Sequence, residues 1–251
     1  SEAIGETVSN IPTKTGRTER GVMKLLLYVI LGCASYVVLA EDDFDDPDPW
    51  IGVNQSIHGF NDVVDEKVLR PTAVGYRTVV PPFIRQRVSN VFGNLGDVSD
   101  LVNNLLQGKV GPAMQDSWRI LINSSVGLGG LFDPATALDL PDHDEDFGQT
   151  LGTWGIGSGP YLVLPFLGPS TVRDGIARVA DGRLKPQRYL HPVSHRNGIY
   201  GLDVIHTRSE LLSAEGAIFG DRYTFLREAY LQRRNYLIHD GETDDAFADD
   251  F

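Results

Sequence analysis

Gly157-Ser158-Gly159-Pro160-Tyr161-Leu162-Val163-Leu164-Pro165-Phe166-Leu167-Gly168-Pro169-Ser170 holds the most decisive reading in the chain. The apolar run Tyr161 to Leu167 is bracketed by Gly and Pro and broken inside by Pro165. An internal proline removes a backbone donor and kinks the segment. The run therefore cannot be a regular helix or a central strand, and an apolar hairpin loop is predicted. Two roles suit such a loop: it is tucked under a soluble core, as most apolar loops are, or it faces lipid and lines an apolar passage.

Outward from this loop the chain reads as helical. Val53 to Val68 has helix-like apolar spacing and should end near Arg70-Pro71, where proline stops a helix. Pro82 opens a helix through Val91. Asp97 to Gln107 begins with a candidate Asp cap and stops at Gly108. Pro112 to Asn123 has the same form. Ser170 to Val179 starts with a Ser cap, and Gly201 to Ser213 and Asp221 to Asp240 complete the set. In the last, Phe225, Leu226, Ala229, Tyr230 and Leu237 form an apolar stripe opposite Arg222, Arg227, Arg233 and Arg234. Period-2 alternation is nearly absent, which disfavours a β-barrel.

The 251 residues suffice for one domain with an apolar core. The formal net charge of -12 repels phosphate backbones, so nucleic acid is not an expected partner. Cys33, the single cysteine, excludes an intrachain disulfide and a multi-cysteine zinc site. Residues 1–22 are polar, without a core pattern, and read as an upstream extension, since Met23-Lys24 before an apolar run resembles a natural start. Leu25 to Ala40 is apolar and about 16 residues long, short of the roughly 20 a spanning helix needs, so 23–40 reads as a secretory signal. Three outcomes stay open there. Ile30-Leu31-Gly32-Cys33 resembles a lipobox that would acylate Cys33, Val38-Leu39-Ala40 resembles an ordinary cleavage site, and the segment could remain as an uncleaved anchor. Residues 41–49 (EDDFDDPDP) are predicted to be an acidic extended tether, 50–240 the folded domain, and 241–251 an acidic disordered tail.

Catalytic signatures are weak. Val126 to Leu131 is glycine-rich but lacks the Gly-Lys-Ser/Thr ending of a phosphate loop and a preceding strand. No Gly-x-Ser-x-Gly elbow exists. Asp142-His143-Asp144-Glu145-Asp146 could suggest a metal, but neighbouring residues cannot all converge on one ion, so a solvated acidic loop is predicted. His191, His195 and His206 read as structural or exposed. An envelope lipid hydrolase would need Ser124 or Ser125 beside a histidine such as His143. No catalytic residue, metal or cofactor is predicted.

An ordered set of segments resembles the MlaA (VacJ) family across roughly Asp48 to Asp240. It includes Asp48-Pro49-Trp50 leading to Asn54, Phe60-Asn61, Val68-Leu69-Arg70-Pro71, Val80-Pro81-Pro82, Val88 to Leu95, Val102 to Gly108, Gly127 to Asp133, His143 to Gly152, Gly157 to Asp174 and Arg227 to Arg234. The resemblance implies a mostly α-helical fold: a ring-shaped bundle of amphipathic helices with an apolar hairpin loop, lying in one leaflet of the outer membrane. It implies a lipid-anchored protein on the periplasmic side, held by Cys33. It further implies passive removal of mislocalised phospholipid from the outer leaflet, with a trimeric porin and a soluble periplasmic lipid carrier as partners. On this resemblance Gly159, Pro160, Tyr161, Leu164, Pro165, Phe166, Gly168 and Pro169 form the lipid-passage loop. Asn54, Phe60 and Asn61 form a motif near the membrane. A structural, porin-associated lipoprotein without transport is the competing role. The physics is compatible, because a headgroup passage needs buried polar partners beside an apolar border.

Overall fold

The computed structural model describes residues 47–217 and 220–241. Cys33, the signal segment, most of the tether and residues 242–251 lie outside them. Helices dominate: α1 Ile51–Val64, α2 Arg70–Val79, α3 Pro82–Leu106, α4 Val110–Ser125, α5 Pro134–Ala137 and α6 Phe147–Thr153 precede a hairpin of β1 Tyr161–Leu164 and β2 Gly168–Thr171. Then follow α7 Val172–Leu184, α8 Val193–Leu211 and α9 Arg222–Ile238. The mostly helical expectation holds. No helix among the described residues is long and apolar enough to cross a membrane.

Several boundaries differ from the sequence reading. Pro71 does not end the first helix. A π-helical turn, Asp65–Leu69, joins α1 to α2 and leaves Pro71 in the first turn of α2, where a missing N–H costs little. The helices expected at 82–91 and 97–107 are one 25-residue helix, α3. Asp97 is therefore no cap. It is buried in mid-helix, 3.5 Å from Arg119 of α4. Thr171, the last residue of β2, and not Ser170, caps α7 by accepting the Asp174 N–H, because the helix begins one residue later than expected, at Val172. α8 begins eight residues before Gly201, at Val193.

The larger finding is an inverted distribution of polarity. On α4, Val110, Met114, Trp118 and Leu121 are exposed at helical spacing, while Ala113, Asp116, Arg119 and Asn123 are buried on the other face. On α3, Phe83, Ile84, Leu105 and Leu106 are exposed, and Asp97, Asp100, Asn103 and Asn104 are buried. Helices of a soluble domain do the reverse. The apolar core cluster among the described residues is small: Tyr161, Val163 and Tyr223, with Ile57, Tyr230 and Leu231 packed against it. Hydrogen bonds and ion pairs tie the rest together.

The acidic run 142–146 is, as expected, a loop that leads into a helix, with Asp142 and Asp144 exposed, but His143, Glu145 and Asp146 are only partly solvated and all four acids are paired. Asp142 lies 3.4 Å from Arg119, the His143 Nδ1 is 2.6 Å from Asp116, and Asp144 lies 2.6 Å from Arg233. Glu145 lies 3.0 Å from Lys109, and Asp146 caps α6 while binding Arg234 through two bonds. Each acid goes to a different base, so the run staples α4, α6 and α9. Of the arginines expected opposite the apolar stripe of α9, Arg222 and Arg233 are exposed, but Arg234 is buried and Arg227 reaches back to Asp48.

Asp100 shows what burial does in this polar interior. Its Oδ1 accepts the Glu145 N–H at 2.9 Å, yet burial pushes its pKa up to about 8, more than that bond lowers it. A raised folded-state pKa favours the protonated protein, so its stabilising effect is present at low pH and lost as pH rises from the carboxylate range through about 8. Asp100→Asn keeps the acceptor and removes the titration. Denaturant unfolding across pH should show the variant close to wild type at pH ~4 and more stable than it at pH ~9. Parallel pH profiles would show that folding does not raise the Asp100 pKa.

Candidate functional site

The hairpin predicted from Gly157–Ser170 is present, as an antiparallel pair with Tyr161 opposite Thr171 and Leu164 opposite Gly168. Pro165, Phe166 and Leu167 form its tip. Phe166 has φ +64° and Gly168 φ +77°, both in the left-handed region. Glycine adopts that region freely, whereas phenylalanine needs a compensating contact.

That contact comes from α1. Asn54 and Asn61 are seven residues apart, two helical turns, so they lie on one face. The buried Asn54 amide donates to the Tyr161 carbonyl at 3.1 Å and accepts the Val163 N–H at 2.9 Å. Asn61 repeats the arrangement at the tip, donating to the Leu164 carbonyl at 3.0 Å and accepting the Phe166 N–H at 2.7 Å. Two side chains thus act as a surrogate neighbouring strand for β1. The Tyr161 N–H completes the edge by donating to the Pro47 carbonyl at 2.8 Å. Phe60 meets the Phe166 ring edge-on at 5.2 Å between centroids.

The two residue groups that the sequence reading kept apart, Asn54–Phe60–Asn61 and Gly159–Pro169, are therefore one unit. Within it the roles divide. Tyr161 is only 1% exposed and packs edge-on against Tyr223 and Tyr230. Leu164, Gly168 and Pro169 form the frame, with Gly159 and Pro160 leading into it. Only Pro165, Phe166 and Leu167 stand out, Phe166 being 69% exposed and Leu167 62%.

Sequence reasoning missed what holds this unit to the body. Asp48, assigned to the tether, is buried; it accepts from Asn54 at 2.8 Å and from the Tyr223 hydroxyl, and pairs with Arg227. Burial first, then that hydroxyl bond and the Asp48 charge, push the Tyr223 pKa up. Arg178 of α7 clasps β2 through the Pro169 carbonyl at 3.0 Å. The Asp48–Asn54 spacing was the available signal, since an Asn in the first turn of the helix that follows an Asp-Pro start suits a polar clasp.

Behind the hairpin, Arg234 donates to Asp146 at 2.5 and 2.9 Å and lies 3.0 Å from Asp174, which also accepts from Arg173 and the Tyr230 hydroxyl. Burial pushes the Asp174 pKa up, but Arg234, Arg173 and Tyr230 together outweigh it and hold it below the usual range. Gly148 has to be glycine here: a Cβ would sit 2.5 Å from the Asp174 carboxylate and 2.7 Å from the Arg234 guanidinium.

The residues a hydrolase would use are engaged elsewhere. Ser124 accepts from Asn94, Ser125 donates to the Leu121 carbonyl, and His143 is on Asp116. Among the described residues no hydrogen bond joins either serine to His143. His206 is buried against Tyr76 and Phe92, whereas His191 and His195 are exposed. A shallow groove of about 560 Å³ is lined by Asp221, Thr224, Phe225, Glu228, Ala229 and Gln232, all at or on α9, and so is a feature of one helix face.

The sequence pattern of the MlaA lipoprotein family matches residues 46–237. The "Intermembrane phospholipid transport system lipoprotein MlaA" of Escherichia coli is 36% identical over 221 residues, covering 85% of this chain and 86% of that protein. The protein of the same name from Haemophilus influenzae is 30% identical and covers 75% and 78%. A solved structure described as "Structural basis for maintenance of bacterial outer membrane lipid asymmetry" superimposes with a TM-score of 0.68 at 35% identity, covering 76% of this chain and 98% of that one. This chain belongs to the MlaA lipoprotein family.

Proposed function

We propose that this protein moves phospholipid. It takes mislocalised molecules from the outer leaflet of a Gram-negative outer membrane and passes them to a soluble periplasmic carrier, without catalysing a reaction. In this reading it lies in the periplasmic leaflet beside a trimeric porin, anchored through an acylated Cys33. The observation that carries the reading is the inverted surface: apolar side chains turned out along α3 and α4, and carboxylates, amides and arginines turned in. Exposed apolar area of this extent is costly in water and at home in acyl chains. Polar groups facing inward supply partners that a headgroup needs when it leaves water. The names of the family relatives, as components of an intermembrane phospholipid transport system, support the same role.

The hairpin tip supplies the apolar border of the passage, and α1 holds it in place. Phe166→Asp puts a charge on the exposed tip while leaving the Asn61 bond to the backbone N–H intact. The variant is expected to be exported and to fold, with phospholipid accumulating at the cell surface as in a strain lacking the protein. Normal surface phospholipid in that strain would remove the hairpin from the pathway. Wild-type protein recovered in the soluble periplasmic fraction would overturn the reading as a whole.

A further inference from the structure

From the structure we infer that Arg87 forms a binding site for the phosphate of a bilayer phospholipid, at the edge of the apolar belt and apart from the hairpin. Its guanidinium lies between two phenyl rings, 4.5 Å from the Phe83 centroid and 4.4 Å from that of Phe132. Nη1 donates to the Leu131 carbonyl at 3.2 Å, and Asn90 donates to the same oxygen at 3.1 Å. Nε is buried without an acceptor, and Nη2 has none among the described residues. Arg85, two residues earlier, has Glu210 at 3.2 Å; for Arg87 no carboxylate stands within ion-pair distance among the described residues. Arg87 is thus a cation fixed in place, with ring faces on both sides and no carboxylate beside it, in a chain of net charge -12.

The surroundings select the anion. Phe83, Ile84, Leu131 and Phe132 are all more than two-fifths exposed around the guanidinium. Inorganic phosphate or an acidic peptide would answer the charge and leave these side chains in water. A phospholipid answers both, its phosphate on the guanidinium and its acyl chains along the rings. The two rings and the Leu131 carbonyl hold the planar fork in one orientation, which suits a phosphate better than a mobile lysine would. Aromatic residues flanking an arginine are also the composition that settles at the level of headgroups. The site would fix the depth at which α3 sits in the leaflet.

The inference rests on the membrane-lodged reading, and the test separates the two. Full-length protein is floated with vesicles of phosphatidylcholine or of digalactosyldiacylglycerol, both uncharged overall, only the first carrying phosphate. Wild type is expected to bind both, with about tenfold preference for the phosphate-bearing vesicles, the scale of one charge-assisted contact. Arg87→Gln is expected to lose the preference while still floating on both, and Arg87→Lys to keep part of it. An unchanged preference in Arg87→Gln, or none in wild type, overturns the site alone. Failure of wild type to float on either vesicle overturns the membrane reading and the site with it. Calorimetric titration of micelle-held protein with inorganic phosphate is expected to give no Arg87-dependent binding; saturable binding lost in Arg87→Gln would make this a free-anion site and refute the lipid assignment. Should Arg87→Gln fail to fold by circular dichroism, Arg87→Leu, which retains contact with both rings, carries the same comparison.

Discussion

Asn54→Ala is expected to lower the unfolding free energy by about 3–5 kcal/mol, from the loss of several buried partners at about 1–3 kcal/mol each. The truncation removes the side-chain partner of the Tyr161 carbonyl and the Val163 N–H, and one of the donors to Asp48, in a place where no water reaches Asn54. The hairpin should lose its dock on α1, leaving Phe166 to relax out of its left-handed conformation. Urea unfolding of micelle-held protein measures the first effect, and protease cleavage at Leu164–Gly168 measures the second. Asn54→Asp is a stringent companion. It keeps the acceptor for Val163 but turns the donor to Tyr161 and Asp48 into a second carboxylate oxygen, so it should be no better than alanine. A loss below about 1 kcal/mol for either variant, the worth of one ordinary exposed hydrogen bond, would mean that α1 does not hold the hairpin.

Arg234→Met is the second large effect, about 3–5 kcal/mol, because removing one partner leaves buried charge uncompensated. Methionine fills the volume but leaves Asp174 and Asp146 without their shared cation. Asp174 is only 4% exposed and cannot turn to water. The pH dependence gives an independent check. Because the Asp174 pKa is held below its ordinary value, the stability it contributes is present above the unfolded carboxylate pKa and lost as pH falls through the depressed one. Without Arg234, burial counts for more and the acid-side loss should flatten. Adding Asp174→Asn should recover part of the deficit, since it removes one of the stranded charges. A single variant with wild-type stability and an unchanged acid limb would show that the cluster is decorative.

Much of the helical content was legible because apolar spacing and proline placement are local signals, and they put elements near α1, α4 and α9 with ends a few residues off. The hairpin was legible for the same reason: Pro165 inside an apolar run excludes the regular alternatives. The fusion of two expected helices into α3 was not legible. The carboxylate of Asp97 looked like a cap for a second helix, until Arg119 arrived from another helix to satisfy it. The acidic run 142–146 was legible as a loop leading into a helix, but its pairing was not. In sequence it is a block of like charge that belongs in water, and its bases, Lys109, Arg119, Arg233 and Arg234, are scattered along the chain.

Local chemistry, written in the order of residues, determined that this chain is helical, acidic, interrupted by one kinked apolar hairpin and built on the pattern of a lipid-transport family. Which side of each helix faces out was decided only in three dimensions. Hydrophobic periodicity reports that a helix has two unlike faces and carries no sign; the sign came from where Asp97 met Arg119 and Asp174 met Arg234, which put the charges inside and left Met114 and Trp118 exposed on the outer face.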